Sequence, residues 1–243
     1  AIPVIRARTA GLLRSARNDV TMRFLKSPKS IIIAGAVVLA AIIGLTIREV
    51  VVRRAARTIA PIAVDLAPEK RKTLEESVAK SRAAIAANAQ DFNAHTVLAL
   101  ALVDLGDREG AAEVYRQMNQ RFPGNYLSYQ NLGTLYEEAG KYDFAAEQYL
   151  IAIQNAPRIP HLYRKIVNLY TYHAKERASD IPRILQKGLN EVPGSIDLMA
   201  MMAVYYRDHG QREEAIRWYE HLLVFDQSNT TALEELKQLK GMR

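Results

Sequence analysis

The chain has 243 residues, is rich in Ala and Leu, carries only 12 Gly and has no Cys; this composition favours helix and excludes disulfides, thiolate metal sites and cysteine nucleophiles. Its net charge of +7 is uneven: eleven of the 33 Lys/Arg but two of the 26 Asp/Glu fall in residues 1–57, leaving +9 there and −2 over residues 58–243. A near-neutral body excludes the basic footprint of a nucleic-acid binder, whereas a basic segment beside an apolar one fits anionic lipid.

Residues 1–29 form a basic amphipathic segment. Ile5, Leu12, Leu13, Ala16, Val20 and Phe24 recur at three- or four-residue spacing while arginines fill the other faces, the pattern of a helix lying on a membrane surface. Its Arg-rich, acid-poor character also resembles a mitochondrial targeting segment. Residues 30–47 follow as a single predicted transmembrane helix. Ser30–Ile47 carries no charge over eighteen residues, about 27 Å of helix against a bilayer core of about 30 Å. Seven Lys/Arg precede this run and four follow it before Thr58, which favours a cytoplasmic N-terminus and a translocated body. The expected setting is a bacterial inner membrane with a periplasmic body; a mitochondrial or other organelle membrane is the alternative. Arg14, Arg17, Arg23, Arg53 and Arg54 are the expected lipid-facing basic residues. Ala36, Ala40 and Gly44 stand four apart, a stripe of small residues that would let helices pack closely in lipid.

Residues 48–70 are expected to continue the helix from Arg48 to Ala60 and then to form an extended link marked by Pro61 and Pro68. Residues 71–90 read as a lone helix.

From Asp91 the sequence repeats itself. Segments 91–124, 125–158 and 195–228 each have 34 residues, and 159–194 has 36. The second segment carries Tyr129, Leu132, Gly133, Tyr136, Gly140, Tyr142, Ala145, Tyr149, Ala152 and Pro157. Gly133 and Ala145 are small where two helices would cross, Gly140 suits a turn with positive φ, and Pro157 ends the second helix. The first segment repeats the pattern with Leu98, Ala99, Gly106, Ala111, Tyr115 and Pro123, and the fourth with Met202, Ala203, Tyr206, Gly210, Ala215 and Tyr219. The third keeps Tyr163, Ile166, Tyr170 and Pro193. It has Val167 and Ile181 where small residues are expected, and its turn is two residues longer. Its helix pair is expected to splay, with Ser179 or Asp180 as the cap of the second helix. Residues 229–243 read as a capping helix. Thr231 and Glu234 have capping-box spacing, and Leu233, Leu236 and Leu239 are expected to cover the last repeat.

This period and pattern resemble the tetratricopeptide-repeat family. The resemblance implies an all-α, right-handed solenoid of helix–turn–helix units, here behind a single transmembrane helix, with the first helices lining a concave, partner-binding face. By register that face would present Gln130, Asn131, Thr134, Glu137, His161, Arg164, Lys165, Asn168, Tyr172 and Arg207, together with Met201 and Val204. Some family members clamp a chaperone's terminal carboxylate with basic residues and an Asn. Asn131 and Lys165 match two of those positions and His161 stands at a basic one, whereas Thr96 and Leu100 depart from the pattern.

No phosphate loop, nucleophile motif or HExxH is present, and the five His are scattered. The expected function is therefore non-catalytic, with no cofactor, no metal and no small-molecule substrate. The chain reads as a membrane-anchored adaptor or accessory subunit of a membrane complex whose partners are other proteins and, near the span, anionic lipid. The alternative is an organelle-membrane receptor that recognises chaperone tails or targeting peptides.

Overall fold

The computed structural model describes residues 28–241, with eleven α-helices and one 3-10 helix among them. The expected surface helix with Arg14, Arg17 and Arg23 lies outside the described residues, as do the side chains of Arg53 and Arg54. The chain divides into two compact units, Ala1–Ala56 and Arg57–Arg243.

In the first unit, helix α1 (Pro28–Arg57) runs unbroken for 30 residues. It carries the apolar run and Arg48, Arg53, Arg54 and Arg57 in one element. It ends three residues short of the expected Ala60, because the residue before Pro61 is driven to extended backbone. Ala36, Ala40 and Gly44 are exposed along it, and a β-carbon on Gly44 would meet nothing within 4 Å. Among the described residues no helix is long and apolar enough to cross a membrane.

The second unit opens with a strap, residues 58–67, outside any helix or strand. This link is fastened to the repeats. Ile59 is 1% exposed, and its amide donates to the Glu109 carboxylate at 2.6 Å. The Ile62 amide donates to the Gly106 carbonyl at 3.1 Å, and the Arg71 guanidinium donates to the Val64 carbonyl at 3.2 Å. Just before the strap, Arg57 pairs with Glu147 at 3.4 Å and lies over the Phe144 ring at 5.2 Å.

Helix α2 (Pro68–Ala87) starts on Pro68, three residues ahead of the expected 71, because proline lacks only an N–H that the first turn cannot use. The repeats follow as helix pairs: α3 (Phe92–Asp104) with α4 (Arg108–Arg121), α5 (Tyr126–Glu138) with α6 (Tyr142–Asn155), α7 (Pro160–Tyr172) with α8 (Ile181–Glu191), and α9 (Ile196–Asp208) with α10 (Arg212–Phe225). Asp91, Asp107, Asn125 and Ser195 cap four of these helices by accepting a first-turn amide. The turns of the first, second and fourth pairs hinge on Gly106, Gly140 and Gly210, all at positive φ. The third pair has no glycine there. Its longer turn winds into a 3-10 helix, Lys175–Asp180, pinned by Arg177 over the Tyr170 ring at 5.0 Å. Asp180 stands at the start of α8 but makes no capping bond; it pairs with Arg177 and Arg183 instead.

The core repeats with the helices. Ala99 and Ala203 are fully buried where α3 meets α4 and α9 meets α10. At the matching position a β-carbon on Gly133 would stand 2.6 Å from the Tyr149 ring. Tyr115, Tyr136, Tyr149, Tyr163 and Tyr170 are the largest fully buried side chains. Val167 and Ile181, the large substitutes, are buried too, and α7 packs less closely on α8 than α5 does on α6. Trp218, the single tryptophan, is half-buried on α10 with His221 at 5.6 Å.

Helix α11 (Thr230–Lys240) closes the array. Its cap is Asn229, whose side chain accepts the Ala232 amide at 3.0 Å, so Thr231 is not the capping residue. Ala232 and Leu236 are buried and Leu239 packs partly against the core, but Leu233 is 48% exposed and covers nothing.

Candidate partner-binding groove

Among the first helices, α7 packs on α9, and Lys165 of α7 reaches Thr134 of α5. Two features lie along these helices.

The first is a polar cluster between α5, α6 and α7. The Tyr149 hydroxyl donates to Glu137 at 2.5 Å and lies 3.2 Å from the Thr134 hydroxyl. Lys165 reaches over from α7, donating to that hydroxyl at 3.5 Å, with its ammonium 6.0 Å from the Tyr149 ring centre. Burial, reinforced by the neighbouring Glu137 carboxylate, pushes the Tyr149 hydroxyl far above its ordinary pKa. Asn131 turns inward to the Tyr115 hydroxyl. Gln130 is half-buried one turn before Thr134, which donates to its carbonyl at 3.2 Å. His161 is exposed on the next helix; partial burial, then the charges of Lys165 and Arg164, hold its pKa below the usual value.

The second is a groove of about 590 Å³ between α7, the 3-10 helix and α9. Its floor is apolar, made by Val167, Ile181, Ala200, Met201 and Val204, and its rim carries Asn168, Tyr172, Lys175 and Asp208. Tyr172 is 67% exposed at the mouth. Arg164 spans from α7 to pair with Asp197 on α9, and Arg207 pairs with Asp208 at 2.9 Å and with Glu235 of α11. The floor carries no charge, which suits an apolar side chain of a guest, while Lys175 on the rim has no carboxylate partner among the described residues.

Repeat register had placed Asn168, Tyr172, Met201 and Val204 on the partner-binding face, and they line the groove. Arg164 and Arg207 stand there as structural pairs, joining α7 to α9 and α9 to α11. Thr134, Glu137 and Lys165 converge, but Asn131 faces the core tyrosine rather than a guest. Lys175, Ala178, Ala200, Tyr205 and His209 line the groove without having been anticipated. The longer third turn was the available signal, because the 3-10 helix that fills it supplies one wall.

The structural likeness now decides the fold. MamA superposes with a TM-score of 0.52 at 17% identity, over 70% of this chain and 99% of that one. PilF of Pseudomonas aeruginosa does so with a TM-score of 0.51 at 18% identity, over 70% of this chain and 77% of that one. Tetratricopeptide repeat protein 37 of Xenopus laevis is 25% identical over 130 residues, 52% of this chain. The array has the fold of tetratricopeptide-repeat proteins. The chain spans only 8% of the Xenopus relative's length, and no family model matches it. In tetratricopeptide terms, the polar cluster sits on the second and third units and the groove on the third and fourth.

Proposed function

We infer that this chain is a non-catalytic, membrane-anchored adaptor that holds a protein partner on the first-helix face of its tetratricopeptide array. The observation that carries the reading is the groove of about 590 Å³ with an apolar floor, between the first helices α7 and α9 and the 3-10 helix. The anchor rests on the sequence. Eighteen uncharged residues lie inside one helix and are flanked by arginines on both sides; the flanking arginines suit anionic headgroups. The larger basic count before the span favours a translocated array, in a bacterial inner membrane or, as the alternative, an organelle membrane. The four units, the preceding α2 and the closing α11 then act as one interaction module within a membrane complex.

The test is affinity capture of the full chain from detergent extract after in-cell crosslinking, with protease protection of sealed vesicles to report the side that holds residues 70–243. Co-purification of a defined membrane protein, lost on Met201→Glu, is the expected result. Recovery of the bare chain alone overturns the reading.

The second reading, a receptor that grips the carboxylate end of a chaperone tail, is favoured by Lys165. Among the described residues no carboxylate pairs with it. Against it, Asn131 is engaged with Tyr115, and burial, then the charges of Lys165 and Arg164, lower the pKa of His161 and disfavour its cationic form. Tail binding that survives Lys165→Ala removes its support.

A further inference from the structure

By repeat register α2 is a second helix and α11 is a first helix, and among the described residues neither has the other half of its pair. Residues 58–67 fall in sequence where the first helix before α2 would be. They run instead as the strap to Gly106 and Glu109, beyond the C-terminus of α3. At the other end of α3 a hollow of about 340 Å³ is open against α2, lined by Ser77, Lys80, Ser81, Asp91 and Asn93 among others. We propose that α11 of a second copy fills this hollow, so that α11 and α2 of neighbouring copies complete one helix pair and the copies join head to tail.

Volume carries the assignment. In register, Ala99, Gly133 and Ala203 of the first helices correspond to Lys237 on α11, and Tyr115, Tyr149 and Tyr219 of the second helices to Ser81 on α2. Within a unit these two places meet: a β-carbon on Gly133 would stand 2.6 Å from the Tyr149 ring. Lys237 therefore rejects a second helix that bears the tyrosine. Ser81 removes that ring and leaves the room, so large and small are exchanged across the composite pair. Ser81 is only 6% exposed and lines the hollow, and its hydroxyl has no hydrogen-bond partner among the described residues. Leu233 adds the apolar part. At its place in three of the four units, His95, Tyr163 and Met199 are at most 1% exposed, whereas Leu233 stands open until α2 of the next copy covers it.

Charge agrees. Arg164 of one first helix pairs with Asp197 of the next. The same two places are Glu234 on α11 and Asn93 on α3, which brings the Glu234 carboxylate to the hollow's Asn93 amide and Lys80 ammonium. Lys237 enters beside Ser81 and the Asp91 carboxylate. Among the described residues the ion pairs of α2 and α11 within one copy are Lys72–Glu76, Arg207–Glu235 and Lys240–Glu220, which leaves Lys80, Glu234 and Lys237 for this contact. Two different surfaces meet, so the association continues beyond two copies.

Sedimentation velocity of the full chain in detergent, over a range of concentrations, tests the proposal. Association that proceeds past the dimer is expected. Ser81→Tyr should weaken it about tenfold or more, with the thermal midpoint unchanged. Adding Lys237→Ala to that variant should restore it, because the new tyrosine then faces a small residue, as register sets Tyr115 against Ala99. The chain has no Cys, so Ser81→Cys combined with Lys237→Cys should give a ladder of disulfide-linked copies under oxidation, and neither single variant should. A chain that stays monomeric, or one that stops at the dimer, overturns the proposal. So does association that survives Ser81→Tyr, as it would through α1, or a loss that Lys237→Ala does not repair.

Discussion

Gly106 and Ile62 hold each other by their backbones. The Ile62 amide donates to the Gly106 carbonyl at 3.1 Å, and the Ile62 carbonyl oxygen lies so close to the Gly106 α-carbon that a β-carbon there would overlap it. Gly106 also sits at φ 84°, where L side chains are strained. Gly106→Ala therefore carries two penalties, the backbone strain and displacement of the strap. A loss of about 2–4 kcal/mol is expected, measured by urea unfolding. Hydrogen exchange at the Ile59 and Ile62 amides should rise more than at α9.

Alkaline pH should unfold the array. Burial raises the hydroxyl pKa of Tyr115, Tyr149, Tyr163, Tyr170 and Tyr219. The unfolded chain releases these protons from about pH 10, while the folded chain keeps them. Their contribution is thus complete below about pH 10 and falls as pH rises through the folded values, by up to about 1.4 kcal/mol per pH unit for each tyrosine. Urea midpoints taken between about pH 8 and 11 should be level at first and then drop steeply. A curve that stays flat to the end contradicts this.

Asn229→Ala should loosen the end of the array. The side chain satisfies the Ala232 amide and also donates to Asp226 at 3.0 Å. A cost of about 1 kcal/mol is expected. Exchange protection should be lost first along α11, with α5 and α6 unaffected.

His95→Leu should be neutral or stabilising by up to about 1 kcal/mol. The ring is 1% exposed; its Nδ1 lies 2.8 Å from the Asp91 carbonyl, which can only accept, so Nδ1 bears the proton. Nε2 is then buried without a partner. The Asp91 carbonyl keeps the His95 amide as a donor after the change. Thermal melts of the two proteins decide it, and a fall of several degrees would show that the ring is needed for packing.

The helices were legible wherever a side chain had to be small or a turn had to be glycine. Ala99, Gly133 and Ala203 announced the crossings, and Gly106, Gly140 and Gly210 the turns. The strap was not legible. Two of its fastenings are backbone amides, Ile59 to Glu109 and Ile62 to Gly106, and these leave no side-chain pattern to read. Thr231 drew attention by its spacing to Glu234, yet Asn229 is a better capping residue and stands at the helix start. At the groove, register found Asn168 and Tyr172 because they lie on a regular helix. It missed Lys175 and Ala178, which the 3-10 helix carries into the wall.

Trp218 gives the array an optical address. It is the only tryptophan in the chain and sits on α10 among the side chains of the fourth unit. Its emission therefore follows that unit alone, while the buried tyrosines of α4, α5, α6, α7 and α10 sample the array as a whole. Excited at two wavelengths, the native protein can show whether its last repeat melts with the others or ahead of them, with no label attached.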